Sequence, residues 1–135
     1  MASQLRQNRW TLMGLSTHLF VVSPLPSGSH IVEVISYLDM GKCYHFPPDN
    51  VIPKKVYWFS QHPLIKYEDA CGIKDAYQID DVLREITKDI SEIAIDKIQS
   101  PGDSLLHTLS RALSWLRAFK DYPGGDTFYV CYAFD

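Results

Sequence analysis

Residues 18–46 read HLFVVSPLPSGSHIVEVISYLDMGKCYHF, and this stretch decides how the fold is read. Leu19, Phe20, Val21 and Val22 form a continuous apolar run. Such a run fits a strand covered on both faces. The run is expected to stop in Ser23-Pro24-Leu25-Pro26-Ser27-Gly28, where two prolines and a glycine oppose a hydrogen-bonded ladder. A second strand is expected from Ile31 to Leu38, with Val32, Val34 and Ser36 on one face and Ile31, Glu33, Ile35 and Tyr37 on the other. Asp39-Met40-Gly41-Lys42 reads as a hairpin turn, and Cys43 to Phe46 as a returning third strand.

Downstream, Pro47, Pro48 and Pro53 hold the chain extended. Residues 54–62 are expected to form a short helix and residues 65–76 an irregular segment. Ile79, Val82, Leu83, Ile86 and Ile90 share one face of a helix. Leu105, Leu109, Ala112, Leu116 and Phe119 do the same for a second helix, opened by Asp103 or Ser104. Between them residues 92–98 read as a strand. Thr127 to Phe134, rich in β-branched and aromatic residues, reads as the last one. The expected architecture is therefore α/β: a mixed sheet of about five strands flanked by helices, in the order β-β-β-α-β-α-β. One domain spans residues 1–135, with a mobile or loosely packed segment at 1–15.

The order and patterning resemble those of the RNase H-like fold, and within it the DEDD-type 3′–5′ exonucleases. That family's first strand ends in a motif of the form V-V-D-x-E-T-T-G, followed by I-x-E-I. Here the corresponding residues are Val21-Val22-Ser23-Pro24-Leu25-Pro26-Ser27-Gly28 and Ile31-Val32-Glu33-Val34. His62-Pro63-Leu64-Ile65 and Asp103-Ser104-Leu105-Leu106 fall in matching order. The resemblance implies that the first two catalytic carboxylates are replaced by Ser23 and Leu25, leaving Asp103 alone. Two-metal phosphoryl chemistry needs several carboxylates to hold ions about 4 Å apart. No cofactor, no metal and no catalytic residue is expected from such a degenerate scaffold.

Composition narrows the function classes. The net charge of −3 opposes a dedicated nucleic-acid binder, which ordinarily carries a basic excess. Cys43, Cys71 and Cys131 are an odd number with no C-x-x-C, so a disulfide framework is not expected. No apolar run reaches the roughly 18 residues of a membrane helix. A cytoplasmic or nuclear location is expected, without secretion. Cys43 and His45 form at most half of a metal site.

Tyr57-Trp58-Phe59, preceded by Lys54 and Lys55, is the candidate binding element. Adjacent side chains diverge by about 100° on a helix and 180° on a strand, so three rings in a row cannot all enter one core. The expected function is a non-enzymatic interaction protein, of the kind a virus or transposon uses as an accessory factor, with a protein partner held at these rings. Two alternatives stand beside it. One is a nucleic-acid-binding module in which Lys42, Lys54, Lys55, Lys66 and Arg111 converge on a groove. The other is a metal-dependent nuclease or other hydrolase. A homodimer is expected if the strand at 127–134 lies at a sheet edge.

Overall fold

The computed structural model describes residues 16–25, 28–43, 45–59, 71–97 and 103–134. The expected residues 1–15, Lys66 and the His62-Pro63 segment lie outside them. Five strands are present: β1 (Thr17–Leu25), β2 (Gly28–Gly41), β3 (Lys54–Phe59), β4 (Cys71–Gln78) and β5 (Tyr129–Phe134). Two helices, α1 (Ile79–Lys97) and α2 (Asp103–Lys120), lie between β4 and β5. The strands are hydrogen-bonded in sequence order, and β5 returns to β1, so the sheet closes into a barrel. Every pairing is antiparallel except β2 with β3, which is parallel.

This overturns the expected RNase H-like α/β sheet. That fold is open, with helices packed around it as crossovers. Here the helices form one hairpin inserted between two antiparallel neighbours, and closure removes the open edges. β5 is flanked by β1 on one side and β4 on the other, so it supplies no edge for the expected dimer.

Two cores explain why the β1 run is apolar throughout. Phe20 and Val22 of β1 point into the barrel with Val32, Val56, Trp58, Ala76 and Cys131 of the other four strands. Leu19 and Val21 point outward and pack with Val82, Ile86, Leu109, Ala112 and Leu116 of the helices. A five-stranded barrel is narrow enough for side chains to fill, and Phe20 meets Trp58 edge-on at 5.2 Å between ring centroids.

Several local expectations change for physical reasons. β1 continues through Pro24 to Leu25, because Pro24 sits beside a register shift at the strand end, where a missing N–H is tolerated. In β2, Val22 pairs with Val34 and Val21 with Ser36, so Ile35 is an extra, bulged residue. The bulge reverses the alternation beyond it. Tyr37 therefore joins the barrel interior against Phe20, instead of sharing a face with Ile31 and Glu33. Residues 54–59 are a strand and not a helix, since Val56 and Trp58 alternate inward around Tyr57. Residues 92–97 continue α1 and do not form a strand, because Ile93 keeps the helical spacing from Ile86 and Ile90 and packs on the same core.

Cys43 and His45 to Pro48 form no strand. They belong to the connection of residues 42–53, which carries the chain back so that β3 can run parallel to β2. Parallel neighbours need a crossover of about a dozen residues.

Candidate functional site

β3 brings the candidate binding residues to the barrel wall and then separates them. Trp58 is 0% exposed and lies inside the barrel. Lys74 Nζ stands 6.0 Å from its ring centroid, and Trp58 Nε1 has no hydrogen-bond partner among the described residues. Tyr57 points the other way and is 36% exposed. Lys54 and Lys55 diverge in the same fashion. Lys54 Nζ lies 5.1 Å from the centre of the Tyr129 ring, whereas Lys55 forms an exposed ion pair with Asp75 on β4. Phe59 closes β3.

Among the described residues, the helices leave β3 and the adjoining parts of β2 and β4 uncovered, since no described β3 side chain joins the helix-side core. On this uncovered wall the register lines up three apolar residues. Ile31 pairs with Tyr57, and Tyr57 pairs with Ile73, which is 71% exposed. Lys55 and Asp75 form the next cross-strand pair. Ile35, thrown outward at the β2 bulge, is 41% exposed. The result is an aromatic ring between two isoleucines, bordered by one charge of each sign. Ile31 and Ile73 were not expected from the sequence as site residues, because their place beside Tyr57 depends on strand register.

The remaining candidate positions are not brought together. Ser23 and Leu25 pair with Glu33 and Gly28 at the end of β1. Asp103 opens α2. The strand that would have preceded Asp103 in a nuclease is the C-terminal part of α1. Lys42 is exposed beyond the end of β2, and Arg111 on α2 donates to the Asp39 carbonyl at 3.3 Å. Among the described residues, no three His, Cys, Asp or Glu side chains are grouped to hold a metal ion.

A second polar cluster is internal. His45 is fully buried; its Nδ1 donates to Asp89 Oδ2 on α1 at 2.8 Å, and its Nε2 bonds the Tyr132 hydroxyl of β5 at 2.7 Å. Both ring nitrogens are thus engaged by protein groups, which leaves none for the metal site that Cys43 and His45 resembled. Burial, reinforced by the negative charge of Asp89, pushes the Cys43 thiol up to about 12, so it stays protonated. Asp89 fixes the imidazole orientation as a carboxylate does in a catalytic triad. The ring is fully buried, however, and its position in the 42–53 connection makes it a staple joining that connection to α1 and β5.

The chain matches no protein-family model, no curated protein and no solved structure. Among the described residues, no helix is long and apolar enough to cross a membrane.

Proposed function

We propose that this chain is a protein-binding module that acts by contact and not by catalysis, and that the uncovered wall of β2, β3 and β4 is its docking face. The observation that carries the proposal is the register-matched row Ile31–Tyr57–Ile73. Amphipathic tyrosine flanked by aliphatic side chains is the composition of a binding hot spot, and the Lys55–Asp75 pair supplies a polar rim. Tyrosine offers large contact area with few rotatable bonds, so ordering it on binding costs little.

The partner surface that fits is a shallow apolar patch with polar edges. A nucleic-acid groove is less well supported, because Lys54 and Lys55 stand on opposite sides of the strand and only one of them borders the exposed ring. The test compares Tyr57→Ala and Ile73→Ser with the unaltered chain. Both variants are expected to keep the folded spectrum and to cost about 1 kcal/mol of stability at most while losing the partner. Retention of the partner by both would refute the docking face.

A further inference from the structure

The opposite side of the molecule carries a second surface that the docking face does not use. A broad cleft of about 850 Å³ runs between α1 and α2. On α1, Asp80, Leu83, Arg84, Thr87 and Lys88 line it; Arg117 and Lys120 of α2, with Asp121 just after that helix, form the other wall. The α1 positions follow helical spacing, so their side chains form one stripe facing the α2 stripe. Leu83 is the apolar floor, packed against the core beneath.

Charge distinguishes this cleft from the rest of the chain. The protein as a whole carries −3, yet the cleft lining holds four cations and two carboxylates. Two of the cations are already engaged. Arg84 pairs with Asp81 one turn earlier on α1, and Lys120 Nζ lies 2.6 Å from Asp80 across the two helices. Lys88 and Arg117 are exposed on opposite walls and have no ion-pair partner among the described residues. Two like charges facing a shared cleft repel each other, and an anion placed between them relieves that repulsion.

We infer that this cleft binds an acidic peptide segment in extended conformation. The α1 wall from Asp80 to Lys88 is about 12 Å long, room for about four extended residues. Side chains of an extended peptide alternate between opposite sides. Two adjacent acidic residues therefore present one carboxylate to Lys88 and the next to Arg117, whose planar guanidinium donates two parallel hydrogen bonds to a carboxylate. The peptide backbone lies over Leu83. A single phosphate, compact and without an apolar portion, uses neither the length nor the floor.

Fluorescence anisotropy with a labelled eight-residue peptide of Asp and Glu, against its Asn and Gln counterpart, tests this directly. The acidic peptide is expected to bind and the neutral one not. Raising salt from about 50 to about 500 mM is expected to weaken binding, since exposed charges are screened. Lys88→Glu and Arg117→Glu are each expected to raise the Kd about tenfold or more, with unfolding midpoints unchanged, because both residues are exposed. Tyr57→Ala, on the other side of the barrel, is expected to bind the peptide normally, so failure here and failure of the docking face are separable. The inference is overturned if the acidic peptide does not bind, if both charge reversals bind as the unaltered chain does, or if the neutral peptide binds equally well. It is also overturned if inorganic phosphate or single-stranded RNA displaces the peptide at equal charge concentration.

Discussion

Tyr57 and Trp58 are adjacent in the chain and lie on opposite sides of the barrel wall, the first exposed on the outer surface and the second fully enclosed. The strand geometry of β3 imposes this, since successive side chains leave a strand in opposite directions. One residue is thereby left at the surface while its neighbour fills the barrel.

The division predicts opposite consequences for two alanine substitutions. Trp58→Ala empties the largest fully buried side chain among the described residues and is expected to cost about 3–5 kcal/mol. Tyr57→Ala removes a half-exposed ring paired across the strands with Ile31 and Ile73 and is expected to cost about 1 kcal/mol. Denaturant unfolding of the two variants measures both values. Trp58→Phe is expected to lose far less than Trp58→Ala, because it also removes an indole N–H that has no partner among the described residues.

The His45 staple predicts a graded series. His45→Ala leaves the nearly buried Asp89 carboxylate without its imidazole and is expected to cost about 3–5 kcal/mol. Tyr132→Phe removes one hydroxyl from the ring's second nitrogen and is expected to cost about 1 kcal/mol. Thermal unfolding of the two variants should keep that order. Equal losses would mean that the hydroxyl and not the Asp89 contact anchors the connection.

Cys43 and Cys131 set an alkaline limit on stability. Burial raises both thiols from an ordinary value of 9.0 to about 12, with Asp89 adding to the shift at Cys43. Above pH 9 the unfolded chain releases these protons and the folded chain does not. Stability from this source is therefore fully present below about pH 9 and is lost as pH rises towards 12. The expected slope in that window is up to about 1.4 kcal/mol per pH unit for each thiol. Unfolding titrations from pH 7 to 11 test it, and mapping of thiol-reagent adducts should find Cys43 and Cys131 unmodified until the chain unfolds.

The turn after α2 predicts an unequal effect at two consecutive glycines. Gly124 has φ +81°, which a non-glycine residue adopts at a cost of about 1–2 kcal/mol. Gly125 is tighter still: a Cβ there would stand 2.2 Å from the Phe119 carbonyl oxygen and 2.6 Å from that of Lys120. Those atoms are helix backbone and cannot swing aside. Gly125→Ala is expected to destabilise the fold more than Gly124→Ala, measured by the shift in unfolding midpoint.

What was legible in the sequence followed from periodicity. The apolar run at 19–22 signalled coverage on both faces, and the spacing of Ile79, Val82 and Ile86 signalled a helix packed on a core. Strand β4 carried no such signal, since only Ala76 and Tyr77 among its described side chains are buried while Ile73 faces outward. The bulge at Ile35 was invisible for a related reason: whether a residue is skipped depends on the partner strand. Closure of the barrel and the parallel step from β2 to β3 depend on pairings between distant segments, which local pattern does not encode. His45 and Tyr132 are 87 residues apart, and Ile31, Tyr57 and Ile73 meet only through register. The ring that reaches the surface was foreseeable as one of three; its identity required knowing that the strand begins with Lys54 facing the same side as Trp58.

The docking face is tested most directly by site-specific photo-cross-linking in cells. A benzoyl-phenylalanine is placed in turn at position 57, at position 73 and at position 122. Tyr122 is also exposed but follows α2, away from the β2–β3–β4 wall. A docking face at Tyr57 gives one adduct of the same mass from positions 57 and 73, none from 122, and loss of the position-57 adduct when Ile73→Asp is added. Adducts of equal yield from all three positions, or none from 57 and 73, would contradict it.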